Sequence, residues 1–182
     1  GVLYQILTNF LPYKPIFWQT LILILRGLSS LLLWGILQQL FPRRKSLALA
    51  AALLFLIYPG FNQQFVSFVY SSHFFALLFF LFSLFAMLQS FKQTSFSRLW
   101  AMAAILSSAI NLLLGEYFFL LELIRIPILW MMHADITALK ERIRSVLLAC
   151  YPYLIVFFLV VFGRIFFLTN ETYQYSLLSE IR

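Results

Sequence analysis

The sequence predicts an all-α, polytopic transmembrane helix bundle of about six spans, and three observations predict it. Of 182 residues, 63% are hydrophobic and only 10% are charged, against roughly half apolar and about a quarter charged in an ordinary soluble domain. The apolar residues form long runs, and the basic residues cluster in alternate gaps between them, as loops on the cytoplasmic side do. Phe fills 22 positions, and Phe faces lipid or a neighbouring helix without presenting a polar atom. Folded in water, such a chain would expose a large apolar skin. Lipid as solvent removes that conflict.

Residues 16–41 form the first run, long enough to cross a hydrocarbon core of about 30 Å at about 1.5 Å per residue. It stops where Pro42 meets Arg43, Arg44 and Lys45. The second span, 46–61, is rich in Ala and Leu and short for a crossing. Phe61 extends its apolar end and the basic residues before it can snorkel. Residues 62–72 are uncharged and mix amides with aromatics, which suits a membrane–water interface on the non-cytoplasmic side. The third span, 73–91, crosses back to a basic loop with Lys92 and Arg98, and the fourth is 99–114. Gly115-Glu116-Tyr117 interrupts the run, and the fifth span, 116–132, follows. Asp135 is placed to cap a short interfacial helix, 136–144, with Ile136, Leu139 and Ile143 as an apolar stripe opposite its charges. The sixth span is 146–168, with Pro152 as a kink.

Loop charges orient the bundle. Arg43, Arg44, Lys45, Lys92, Arg98, Lys140, Arg142 and Arg144 fall on one side, and only Lys14, Arg164 and Arg182 on the other. That asymmetry predicts both ends of the chain outside, and the expected location is the plasma (inner) membrane of a bacterium. Residues 1–182 read as a single transmembrane domain. Because the first residue is Gly1 rather than Met, the expectation is a fragment of a longer protein, with no signal peptide at its start.

The charge of +7 belongs to these loops and not to a nucleic-acid footprint, so no nucleic-acid partner is expected. Walker, Rossmann, nucleophile-elbow and zinc-ligand patterns are missing, which leaves a nucleotide, a metal or another cofactor without support. Cys150, the single cysteine, reads as a small buried hydrophobe. His73 has the chemistry of a base or proton relay, but no ligand-spaced partner for a metal. His133 reads as a loop residue, and Asn170-Glu171-Thr172 matches the N-glycosylation acceptor pattern.

Charges inside apolar runs are the most informative feature, because a charge at mid-bilayer costs several kcal/mol and needs a partner or water. Glu122 and Arg125 stand three apart and can pair on one helix face. Arg26, deep in the first span, then requires Glu116 or Glu122, or the phosphate of a lipid-like substrate; a structural salt bridge and substrate contact are both open. The stretch Tyr58-Pro59-Gly60-Phe61-Asn62-Gln63-Gln64, followed by Tyr70-Ser71-Ser72-His73, sets amides and hydroxyls beside aromatic rings. That mixture suits sugar recognition, and equally a loop at headgroup level. Asn62, Gln63, Gln64, His73, Glu116 and Tyr117, with Arg26, are the candidate substrate-binding residues.

The run Leu25-Arg26-Gly27-Leu28-Ser29 through Leu40-Phe41-Pro42-Arg43-Arg44, the Ala-rich stretch from Leu47 to Tyr58-Pro59 and the Gln63-Gln64 turn resemble the middle of GT-C-type membrane glycosyltransferases. The resemblance is one of pattern over residues 15–88, and the Glu116-Tyr117 and Glu122-Leu123-Ile124-Arg125 segments are compatible with it. It implies transfer of a sugar from a polyprenyl-phosphate donor on the outer face, with membrane lipid as surroundings and no bound nucleotide. It also implies an acidic catalytic residue in the first external loop. No acidic residue occurs between Gly1 and Leu114, so that base is expected upstream of Gly1. Two other classes remain open: a transporter-like bundle with a polar path through Arg26, Glu116, Glu122 and Arg125, and a non-catalytic membrane subunit.

Overall fold

A computed structural model of the chain describes residues 2–12, 14–58, 67–92 and 95–167. Among them all regular structure is helical. In chain order come α1 (Val2–Phe10), α2 (Pro15–Leu40), α3 (Lys45–Ile57), α4 (Ser67–Lys92), α5 (Ser97–Leu114), a 3₁₀ helix (Glu116–Ile124), α6 (Arg125–Met132) and α7 (Leu139–Phe167). Residues 59–66, which hold Asn62, Gln63 and Gln64, and the Asn170-Glu171-Thr172 tripeptide lie outside the described residues.

Four of these helices, α2, α4, α5 and α7, are long and apolar enough to cross a membrane. They correspond to the first, third, fourth and sixth predicted spans. The other two predicted spans are shorter elements. α3 has 13 residues, about 20 Å, short of the hydrocarbon thickness. The fifth run is not one α-helix: nine residues of 3₁₀ are followed by eight of α, about 30 Å end to end at the rises of the two helix types. Pro127 accounts for the break. Without an N–H it cannot bond the carbonyl of residue 123, so a continuous α-helix fails there, while Pro is tolerated in the first turn of a helix that restarts at Arg125.

Two further expectations are corrected. The segment 136–144 is not a separate interfacial helix capped by Asp135; residues 133–135 form a turn, and α7 starts at Leu139 and runs on through Pro152 to Phe167. The apolar stretch after Ser145 carries the first turns along with it, because helix propagation costs less than nucleating a second helix. Near the other end, α1 occupies Val2–Phe10, where the sequence reading placed no helix. Pro15 then starts α2 at its first turn, where the missing N–H has no helical partner to lose.

α4 is the hub. It packs most extensively on α5 and α2, and half of its apolar stretch is buried, against 17% for that of α7. Its buried residues Phe80, Leu84, Met87 and Leu88 join Ile36, Ala104, Leu129, Val146, Cys150 and Tyr153 in the main cluster, and Phe74 joins Ile22 and Leu25 in a second. Small polar residues let the helices approach, as in other membrane bundles. Ser30 Oγ donates to the carbonyl of Ala52 at 2.7 Å, tying α2 to α3, and Ser83 Oγ donates to the carbonyl of Ala104, tying α4 to α5. The outward residues of α7, among them Leu148, Phe158 and Phe166, are exposed, an apolar face whose natural contact is lipid.

Candidate functional site

Every helix that ends inside the bundle leaves carbonyls without i+4 donors, and three arginines serve three of these ends. Arg26 Nη2 donates to the carbonyl of Tyr58, the C-cap of α3, at 3.2 Å. Arg142 Nη2 donates to the carbonyl of Trp130 in the last turn of α6 at 2.6 Å, its guanidinium 4.2 Å from the Trp130 ring centre. Arg164 Nη2 donates to the carbonyls of Leu113 at 3.0 Å and Leu112 at 3.4 Å, in the last turn of α5. A cation there also opposes the negative end of the helix dipole. Arg26 was expected to seek Glu116, Glu122 or a phosphate; a backbone carbonyl is among its partners, and the Glu116 side chain lies outside the described residues. The arithmetic of α3 explains why. Antiparallel to α2 and about 20 Å long, α3 ends level with a residue fourteen positions before the end of α2, which is Arg26.

Arg142 and Arg164 are twenty-two positions apart on α7, about 33 Å, close to the hydrocarbon thickness. Tyr153 lies midway between them, eleven positions from each. Arg125 sits with its guanidinium 4.2 Å from the centre of the Tyr153 ring and 5.9 Å from that of Phe80. The Glu122–Arg125 pair therefore stands at the mid-depth of the bundle, where the fifth run changes from 3₁₀ to α.

The predicted pairing of Glu122 with Arg125 is present. Arg125 Nε donates to Glu122 Oε2 at 2.5 Å and Nη2 to Oε1 at 3.2 Å, with the two side chains 2% and 8% exposed, so both charges depend on protein partners rather than water. Arg125 Nη2 also donates to Ser83 Oγ at 3.0 Å, and Nη1 reaches only the sulfur of Met87, at 3.8 Å. Ser108 Oγ and Asn111 Nδ2 complete the carboxylate's surroundings at 3.3 and 3.4 Å from Oε1. Asn111 Oδ1 is buried with no partner among the described residues. Sequence reasoning found the ion pair and missed Ser83, Ser108, Asn111 and Tyr153; the available signal was polar residues at buried helical positions in two otherwise apolar spans.

At the end away from the basic loops, His73 of α4 lies beside Ser72, with Nδ1 3.5 Å from the Ser72 hydroxyl, and 5.5 Å from the Tyr70 ring. Ser72, His73 and Ala76 line a cavity of about 20 Å³ together with Leu114, Gly115 and Phe118, room for one water molecule. Two candidate regions of the sequence, the polar start of α4 and the Gly115 break, are thereby neighbours. Glu116 and Tyr117 follow Gly115 as the first residues of the 3₁₀ helix, described by their backbone. His133, read as a loop residue, ends α6 and packs edge-on against Phe91 at 5.7 Å. Cys150 is buried, as expected. No group of three or more His, Cys, Asp or Glu suited to a metal occurs among the described residues.

Four membrane-length apolar helices, three of which, α4, α5 and α7, surround a buried polar centre, define a multi-pass helical membrane protein. Comparison with protein-family models, with curated proteins and with solved structures returned no match.

Proposed function

We propose that this bundle belongs to a GT-C-type membrane glycosyltransferase that moves a sugar from a polyprenyl-phosphate donor at the end of the bundle opposite the basic loops. The observation that carries the reading is the meeting of His73 and Ser72 with Gly115 and Phe118 around one small cavity. It brings Ser72 and His73, the last residues of the polar segment, next to the turn that leads into Glu116 and Tyr117. Non-helical backbone at membrane depth is tolerated only against protein or water, so the Gly115 break marks a place where a cleft can open. In this reading six crossings place that end outside a bacterial plasma membrane, the fifth run crossing as 3₁₀ plus α6. Glu116 orients an acceptor hydroxyl, Tyr117 stacks on a sugar ring, and Asn62, Gln63 and Gln64 bond sugar oxygens. Arg26, which caps α3, also serves the donor phosphate, and the acidic base is not one of residues 1–114.

Transfer by the full-length protein tests this. Glu116→Gln and Gln63→Ala are each expected to lower glycosyl transfer about tenfold, roughly 1.4 kcal/mol of transition-state stabilisation, with folded yield unchanged. Full activity in both variants rejects the cleft. A transporter-like second reading is favoured by one feature, the broken crossing whose break coincides with the mid-depth Glu122–Arg125 pair, since transporters bind their cargo at interrupted helices near the midplane. Uptake of a solute into vesicles holding the protein, lost in Glu122→Gln, selects that reading over the transferase.

A further inference from the structure

Between the 3₁₀–α6 junction and α7 lies a crevice of about 230 Å³. Its walls are apolar, with Ile126, Leu154, Phe157 and Phe158 prominent, and its polar lining is Glu122, Arg125, Cys150 and Tyr153. A lipid tail alone satisfies none of those polar groups. The Tyr153 hydroxyl makes no hydrogen bond among the described residues, and Arg125 Nη1 has only the Met87 sulfur, a weak acceptor. Glu122 and Arg125 neutralise each other, so the lining carries no net charge to attract an anion or a cation. Rings dominate one wall: Phe157 packs edge-on against both Phe119 and Phe158, at 5.5 and 5.7 Å between centres. A dry apolar cavity of about 150 Å³ holds benzene, so this larger space fits one substituted ring and not a drug-sized molecule.

We propose that the crevice is a binding site for a neutral, membrane-dissolved molecule carrying a single ring with a carbonyl oxygen, of the quinone type, that enters from the bilayer. The ring packs against Phe157 and Phe158, and the oxygen accepts from the Tyr153 hydroxyl, with Arg125 Nη1 as second donor. This site stands at mid-depth, apart from the cleft near His73, and rests on neither the transferase nor the transporter-like reading, although it shares Glu122 and Arg125 with the second.

Tetramethyl-1,4-benzoquinone quenches tryptophan fluorescence and serves as the probe, with the full chain in lipid nanodiscs. A saturable quenching component is expected above the linear background of partitioning. Cys150→Phe, which fills the crevice, is expected to remove the saturable component. Tyr153→Phe, which keeps the ring and deletes the donor, is expected to weaken it roughly fivefold, the worth of one hydrogen bond. Tetramethylbenzene, which has the same ring and no oxygen, loses both donors and is expected to compete more than about fivefold more weakly than the quinone. Linear quenching in the unmutated chain overturns the site outright, without reliance on any variant folding. Saturation that survives Cys150→Phe places the binding elsewhere, and equal competition by tetramethylbenzene overturns the carbonyl assignment; either result refutes the proposal.

Discussion

The guanidinium of Arg26 donates to the carbonyl of Tyr58, thirty-two positions along the chain, and this contact ends α3 where α2 supplies a donor for it. An arginine that looks like an isolated charge in an apolar run is the C-terminal cap of the neighbouring helix. Arg26→Leu is expected to remove about 0.5–2 kcal/mol, the range for losing a helix cap, and the loss is local. Hydrogen exchange in detergent micelles should show faster exchange in the last turn of α3, with α5 unchanged. Equal protection in the variant and the parent chain would refute the capping role.

The buried pair at mid-depth predicts an asymmetric response. Glu122→Leu leaves Arg125 charged and enclosed, and is expected to cost about 3–5 kcal/mol. Replacing both residues with apolar side chains removes the two desolvation terms together and is expected to cost far less than the sum of the single changes. Unfolding in mixed micelles across this double-mutant cycle measures the coupling. Strict additivity would mean that the two groups do not depend on each other.

Gly35 permits the close approach of α2 and α4. A Cβ there would stand 2.9 Å from Phe85 Cε2, and the Phe85 ring is itself held edge-on against Trp100 at 6.2 Å. Gly35→Ala is therefore expected to destabilise by about 1–3 kcal/mol through overpacking. Gly27 and Gly163 have open space at the same position, so Ala at either is expected to be neutral or stabilising by up to about 1 kcal/mol in helix propensity. Thermal unfolding of the three variants separates them, and a common shift for all three would contradict the packing.

α7 supplies a ruler for membrane depth. With Cys150 replaced by Ala, spin labels at Leu148, Leu154 and Phe166 are expected to show oxygen contact greatest at Leu154, nearest the midpoint between Arg142 and Arg164. Contact with a water-soluble nickel complex should be greatest at Phe166. A maximum of oxygen contact at Phe166 would move the bilayer frame and remove the mid-depth placement of the ion pair.

Much of this architecture was legible in the sequence because it depends on local quantities. Run length, hydropathy and loop charge decide which segments enter lipid, and these located α2, α4, α5 and α7, with the limits of α2 and α5 within two residues and the starts of α4 and α7 placed six and seven residues too late. The spacing of Glu122 and Arg125 gave their pairing, since residues three apart share a helix face whether the turn is α or 3₁₀. Tertiary structure alone decided that Arg26 meets the end of α3, and that Ser83, Ser108, Asn111 and Tyr153 surround one ion pair. Those outcomes turn on which helix lies beside which, and at what height. A charge in lipid must find a partner, but the sequence records only that need; the partner is fixed by packing between segments up to 52 positions apart, as Arg164 and Leu112 are.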